Sequence, residues 1–238
     1  MAPSQLISEN TTICHDWQLS ITADMVLQRQ GAPPDQVRRR QPRLVALAER
    51  AVAVGVPLLR PQVAYRILPV QQVERLQVIL QNDVELRSAW IAQKLAGAKF
   101  LIVAVATIGP GLEAEALSSM KEDPAFSLAL DGCGTAAVGA LIVEMRRFFT
   151  ERTKEVNLTT SAPAYPGTHD WGLREAQTAL FSIVDASAIG VRLTSSFLMT
   201  PCKSVSLVIG VGNHMQPAKQ PCEECGASET CRHKLNEH

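Results

Sequence analysis

The sequence predicts an α+β fold, a single domain in which a mixed sheet is flanked by helices. Two apolar runs, residues 100–106 and 205–211, are rich in β-branched residues and bounded by glycines. Runs of this kind are typical of central strands covered on both faces. Apolar residues at helical spacing lie between the two runs and predict several long helices. With 238 residues the chain is long enough to bury a sizeable core.

Composition excludes some classes of partner. The 23 basic and 23 acidic residues balance, so net charge indicates no nucleic-acid partner and no membrane partner. The first residues lack the basic start and apolar core of a signal peptide. The longest apolar run, residues 100–108, is about half of a membrane span. We therefore expect a soluble, cytoplasmic protein.

Stretches containing glycine and proline mark the boundaries between three parts of the chain. Residues 1–60 are interpreted as an N-terminal accessory region, residues 61–215 as the main domain, and residues 216–238 as a cysteine-rich tail. No internal repeat is evident.

The first part of the main domain is predicted to be mostly helical. A short strand at 64–69 is expected to enter a helix over 70–80, whose apolar members recur along it. A second helix is expected over 84–95, and Gly97 suits its C-terminal cap.

A glycine-rich turn at residues 107–113 follows the first apolar run and leads into a helix that holds Glu113. It lacks the Gly-Lys-Ser/Thr ending of a phosphate-binding loop, so a tight turn lining a cleft is favoured. Another helix opens at Asp123-Pro124, and a further one is expected over 135–156. Asp131 lies between them and is either a helix N-cap, which helix physics favours, or a polar group facing a ligand.

Residues 161–167 form a loop that cannot be helical, because Pro163 and Pro166 fix φ and lack an N–H. We expect this loop to leave backbone groups available to a ligand, with Tyr165 held between the prolines. The alternative is a plain connection. An amphipathic helix starting near Leu173 and the second apolar run follow, where Ser204 and Ser206 share one face of the strand.

Three phrases together resemble the activation domain of cobalamin-dependent methionine synthase, and more closely the stand-alone activation-like proteins of anaerobic bacteria. They are the Tyr165 loop, Ile-Gly-Val-Arg-Leu-Thr at 189–194, and Met-Thr-Pro-Cys-Lys-Ser-Val-Ser at 199–206. The resemblance covers about residues 65–212. In that family an Arg-x-x-Pro-Gly-Tyr loop carries S-adenosylmethionine. Here the arginine falls on Thr160 and the glycine on Ala164, while the proline and tyrosine are kept.

The resemblance implies a largely antiparallel sheet and a role as reductive reactivation partner of a corrinoid methyltransferase. It implies that S-adenosylmethionine contacts Pro163, Ala164 and Tyr165, mostly through backbone and ring. Asp131 and Glu113 would be partners for the ligand's amine or sulfonium. An electron donor protein is implied as well. The chain has no Asp-x-His-x-x-Gly phrase, so cobalamin is expected on a partner protein.

The C-terminal tail has the spacing Cys222-x2-Cys225-x5-Cys231, which is typical of a metal-binding knuckle. Cys202 and three histidines (His214, His233 and His238) are candidates for the fourth ligand. The metal would be zinc or an iron–sulfur cluster, and the alternative is a tail of reduced thiols.

Two further functions stay open at this point. One is a non-enzymatic metal-binding or electron-transfer module that docks on a corrinoid protein. The other is a scaffold subunit with an empty cleft. The motifs of conventional hydrolases and dehydrogenases are missing from the sequence.

Overall fold

The computed structural model describes residues 6–15, 17–81 and 83–216 of the chain. Within them the helices are α1 (Ala23–Arg29), α2 (Pro34–Arg40), α3 (Pro42–Gly55), α4 (Ala89–Lys94), α5 (Gly111–Ser119), α6 (Pro124–Lys154) and α7 (Leu173–Ile183). The strands are β1 (Thr12–Cys14), β2 (Gln62–Val73), β3 (Gln77–Leu80), β4 (Glu85–Arg87), β5 (Phe100–Thr107), β6 (Thr159–Thr160), β7 (Arg192–Leu193), β8 (Met199–Thr200) and β9 (Ser204–Gly212).

Seven of the described strands form one sheet in the order β4-β3-β2-β5-β9-β6, and β1 also pairs with β2. Every pairing in it is antiparallel. The central strand β5 pairs with β2 on one side and with β9 on the other. The predicted α+β fold, with an antiparallel sheet flanked by helices, is therefore confirmed.

The sheet has a hydrophobic core on each face. Side chains alternate along β5, so that Ile102 and Ala104 lie in one cluster while Leu101 and Val103 lie in the other. The first cluster is covered by α1, α3 and α6. The second is covered by α4 and α7 and contains the fully buried Trp171. Because both faces of the sheet are covered at β5, nearly every residue in the sequence of this strand is apolar.

The first sixty residues contribute to the first of these cores. Helices α1 and α3 pack against α6, and β1 extends the sheet beside β2. Val26, Leu27 and Ala51 are fully buried there. The division of the chain at residue 60 stays a prediction.

The helix predicted over 70–80 is wrong. Strand β2 continues to Val73, and after a short turn β3 runs back beside it, with a register shift between Val70 and Gln72. Val78 and Leu80 are buried while their neighbours are half-buried. This two-residue period is the mark of a strand, and it outweighs the looser helical spacing of the same residues.

The helix predicted over 84–95 is shorter than expected. Residues 85–87 form β4, and the helix begins only at Ala89. Its N-cap is Ser88, whose hydroxyl accepts a hydrogen bond from the Ile91 N–H at 3.0 Å. Gly97 follows the helix with φ at +81°, in the left-handed region that suits glycine.

The favoured role of Asp131 as a helix N-cap is also wrong. The two helices predicted around residue 130 are one helix of 31 residues, and Asp131 lies in its interior. The cap is Asp123, which accepts a hydrogen bond from the Phe126 N–H at 3.1 Å. Small residues at 132–140 do not break the helix. They let other parts of the chain approach its backbone closely.

Helix α6 is long and apolar enough to cross a membrane, and among the described residues no other helix is. However, 61% of its most apolar stretch is buried inside the protein. More than half of this stretch therefore faces the core of the protein.

Candidate functional site

The loop at residues 161–167 lies along the outer edge of β9. The Ser161 N–H donates to the Gly210 carbonyl at 2.8 Å, and Ala164 exchanges two hydrogen bonds of 2.9 Å with Val208. The expectation of unpaired loop backbone is thus wrong at Ser161 and Ala164. An edge strand exposes unpaired N–H and C=O groups, and here the loop satisfies them.

Tyr165 lies on the side of the sheet that α6 covers. Its ring packs, half-buried, against the first hydrophobic cluster. Its carbonyl accepts a hydrogen bond from the Thr168 hydroxyl at 2.6 Å, which holds the turn closed. Burial raises the pKa of Tyr165, and the positive charge of Arg146 opposes this only in part. The phenol is therefore neutral at physiological pH and able to donate a hydrogen bond.

The neighbouring loop residues differ in what they can offer. Pro163 is half-buried, whereas Ala164 has no exposed surface, and its methyl group lies in the second cluster. Ligand contacts at Pro163 and Ala164 stay predictions, and the backbone polar groups of Ala164 already have partners.

The two predicted acidic residues both contact the segment that enters β9. The Glu113 carboxylate accepts a hydrogen bond from the Cys202 N–H at 3.0 Å. Asp131 forms an ion pair with Lys203 at 2.8 Å, and its side chain is 56% exposed. The structure thus brings Glu113 and Asp131 to one segment, although each already has a partner within the protein.

Lys203 is a site residue that sequence reasoning missed. Its side chain is only 14% exposed, and its ammonium donates a hydrogen bond to the Thr135 hydroxyl at 3.0 Å as well as pairing with Asp131. The stem crosses α6 at Gly134, where an added Cβ would lie 3.1 Å from Lys203 Cε. A glycine inside a helix suggests that another part of the chain approaches the helix closely at this point. The sequence does not show that Lys203 is the residue that does so.

The loop and the acidic residues lie at different points along one strand. Lys203 precedes β9, whereas Ala164 pairs with Val208, about 17 Å further along at the usual rise of a strand. Tyr165 and Lys203 both lie on the side of the sheet that α6 covers. A ligand touching both would extend along the seam between α6 and β9.

The two serines at the start of β9 are engaged within the protein. The Ser204 oxygen lies 2.7 Å from the Pro201 carbonyl oxygen and 3.0 Å from the Thr107 hydroxyl. The Ser206 hydroxyl donates to the Gln177 side-chain oxygen at 2.9 Å. They share a face of the strand, as predicted, and they join β9 to β5 and α7.

The predicted metal centre falls mostly outside the described residues, because Cys222, Cys225 and Cys231 belong to the tail beyond residue 216. Cys202 is exposed, and partial burial of its sulfur together with Glu113 raises its pKa. Within the described ranges, no group of three metal-ligating side chains forms. A metal site built from the tail and Cys202 stays a prediction.

Comparison with known proteins supports the fold. No protein-family model matches the chain, and no curated protein matches it in sequence. A similar solved structure is the MetH reactivation domain bound to AdoHcy (S-adenosylhomocysteine), with a TM-score of 0.57 and 12% sequence identity. The match covers 88% of this chain and 81% of that chain. At this level of identity the likeness shows a shared fold, and the bound ligand belongs to that other protein.

Proposed function

We propose that this protein binds S-adenosylmethionine, or its demethylated product, at the loop holding Tyr165. We propose further that it is the reductive reactivation partner of a corrinoid-dependent methyltransferase in the cytoplasm. The observation that carries the proposal is the shared fold, which extends over 88% of the chain and belongs to a domain solved with S-adenosylhomocysteine. The phrases around the Tyr165 loop agree with it.

In this reaction the protein would mainly bind the methyl donor and orient it towards the corrinoid. The methyl group would pass from the sulfonium of S-adenosylmethionine to the partner's corrinoid after a donor protein has supplied one electron. S-adenosylhomocysteine would remain. No side chain has to move a proton, so the main contributions are proximity and alignment. The neutral Tyr165 phenol would donate a hydrogen bond, and exposed Asp131 would face the positive end of the ligand.

A specific observation favours a second candidate, a metal-binding or electron-transfer module that docks on a corrinoid protein. The family's arginine is replaced by Thr160, whose hydroxyl is already paired with that of Thr150 at 3.1 Å. In that case the tail residues Cys222, Cys225 and Cys231 would hold zinc or an iron–sulfur cluster. Metal analysis and a visible spectrum of protein purified without oxygen test this candidate.

Calorimetric titration of S-adenosylmethionine and S-adenosylhomocysteine into the full chain tests the first proposal. We expect binding in the wild type, about threefold to tenfold weaker in Tyr165→Phe, since a hydrogen bond contributes about 1 kcal/mol. Tyr165→Ala should weaken binding further, because it also removes the apolar contact of the ring.

Tyr65→Phe is the matched control. Tyr65 is the other tyrosine of the chain, and it is buried against Phe149 in the first core. Its substitution removes a phenolic hydroxyl away from the loop and should leave ligand affinity unchanged. Absence of heat with wild-type protein at millimolar ligand would overturn the proposal of direct ligand binding.

A further inference from the structure

An open groove of about 420 Å³ lies between α6 and the edge of the sheet formed by β6 and β9. It is separate from the segment that holds Glu113 and Asp131. Its walls come from the second half of α6 on one side and from the start of the Tyr165 loop on the other. The lining residues are Val143, Arg146, Arg147, Thr150, Glu151, Lys154, Thr160, Ser161 and Ile209.

The charged lining of this groove is mainly positive. It contains three basic side chains, Arg146, Arg147 and Lys154, against the single acid Glu151. Arg147 is paired with Glu144 at 2.6 Å. Within the described part of the chain, Arg146 and Lys154 form no ion pair of this kind. Both cations are therefore available to an anion that enters the groove.

The remaining polar lining also provides a donor. The hydroxyls of Thr150 and Thr160 lie 3.1 Å apart, and one hydrogen bond between them uses only one of their two protons. The other proton is left for a further acceptor. The Ser161 hydroxyl is different, because it contacts the Ala162 carbonyl at 2.9 Å and accepts from the Gly210 N–H at 2.9 Å.

Arg146 connects the groove to the candidate ligand site. Ser161, the first residue of the Tyr165 loop, lines the groove together with Arg146. The positive charge of Arg146 also lowers the pKa of the Tyr165 phenol, against the stronger effect of burial. Arg146 is half-buried, so its side chain is partly ordered by its surroundings and still accessible. A ligand that hydrogen-bonds to the Tyr165 phenol could thus place an anionic group against this guanidinium.

We infer that the groove is an anion-binding subsite in which Arg146 binds the carboxylate of the ligand held at Tyr165. The planar guanidinium can donate two parallel hydrogen bonds to a carboxylate, a geometry that an ammonium does not provide. Lys154 and the Thr150–Thr160 pair complete the surroundings of the anion. The inference rests on the proposed function. Thr160 stands where the similar family has an arginine and carries no charge. Arg146 of α6 would supply the positive charge in its place.

The test compares S-adenosylmethionine with its decarboxylated analogue by calorimetry. In the wild type, loss of the carboxylate should weaken binding about tenfold to a hundredfold, the usual effect of a charge-assisted hydrogen bond. In Arg146→Ala the two ligands should bind equally, and Arg146→Lys should recover only part of the difference. Arg147→Ala is the matched control on the same helix and should retain the wild-type preference for the carboxylate.

The outcomes separate this inference from the proposed function. If Arg146→Ala keeps the wild-type preference for the carboxylate, the inference is overturned while ligand binding at Tyr165 stands. If wild-type protein binds neither ligand, the proposed function is overturned, and inorganic phosphate and acetate become the probes. The amide resonances of Thr150, Thr160 and Ser161 should shift when S-adenosylmethionine is added to the wild type, and these shifts should be absent in Arg146→Ala. If S-adenosylmethionine binds the wild type without shifting these resonances, the proposed subsite is overturned.

Discussion

At the scale of single residues, Asp170 connects two distant parts of the chain. Its carboxylate accepts hydrogen bonds from the Ser88 hydroxyl at 2.6 Å, the Ala89 N–H at 2.8 Å and the Trp90 N–H at 3.2 Å. The adjacent His169 ring stacks on Trp90 with 4.3 Å between centroids. Asp170 thereby accepts hydrogen bonds from the first N–H groups of α4, next to the N-cap Ser88, and holds the segment after the Tyr165 loop against that helix.

We predict that Asp170→Asn lowers the thermal stability at neutral pH, because the amide accepts these hydrogen bonds less strongly than the carboxylate. The hydrogen bond from Ser88 is the largest cause that lowers the pKa of Asp170 below 3.8. A carboxyl with a depressed pKa contributes stability above its unfolded pKa and loses it as pH falls through the folded pKa. The difference between variant and wild type should therefore shrink below about pH 4.

Thermal unfolding followed by circular dichroism between neutral and acidic pH measures this effect. Asp83→Asn is the control, since Asp83 is exposed and its positive φ is tolerated by asparagine. An Asp170→Asn protein as stable as the wild type at neutral pH would contradict the prediction.

At the scale of secondary-structure elements, α6 depends on a close approach between the helix and Lys203. An added Cβ at Gly134 would lie 3.0 Å from Leu112 Cδ2 and 3.1 Å from Lys203 Cε. Leu112 is fully buried, whereas Lys203 is anchored by Asp131. A larger residue at Gly134 would consequently press on two side chains that have little room to move.

We predict that Gly134→Val destabilises the fold by about 1–3 kcal/mol, the usual effect of overpacking, although valine suits a helix slightly better than glycine. Denaturant unfolding measures the loss. The double variant with Lys203→Ala should show a smaller loss from the valine than the single variant does, because one of the two clashes is removed. Equal losses in both backgrounds would show that Lys203 does not occupy this space.

At the scale of the whole molecule, the candidate site draws on parts of the chain from α5 to β9. Glu113, Arg146, Tyr165 and Lys203 come from four different segments, and the antiparallel sheet brings them to one side. The Tyr165 loop is itself paired to the edge of β9. A ligand that binds there would contact only the folded state and should stabilise the whole fold.

We predict that S-adenosylmethionine at about one hundred times its dissociation constant adds about 2.7 kcal/mol of stability. For a protein of this size that corresponds to an increase of about 5–10 °C in the melting temperature. Tyr165→Ala should show a smaller increase at the same ligand concentration, because its dissociation constant is larger. Calorimetric binding without any increase in the melting temperature of the wild type would contradict a site made by the folded state.

Features that depend on near neighbours could be predicted from the sequence. The continuous apolar runs of β5 and β9, the cap at Asp123 and the amphipathic α7 each follow from residues within one or two turns. The position of Tyr165 in a non-helical loop follows in the same way from its flanking prolines. Local sterics and periodicity suffice for these features, and the phrases around the loop indicated the family fold.

Only the tertiary structure decided which of these parts meet. It placed β3 beside β2 where a helix is predicted, paired Ala164 with β9, and brought Lys203 to α6 across 68 residues of sequence. It also placed Arg146 in one groove with Thr160 and Ser161, a relation that no local pattern contains. The physical reason is that such contacts depend on sheet register and helix packing, in which residues far apart along the chain satisfy each other's backbone groups and charges.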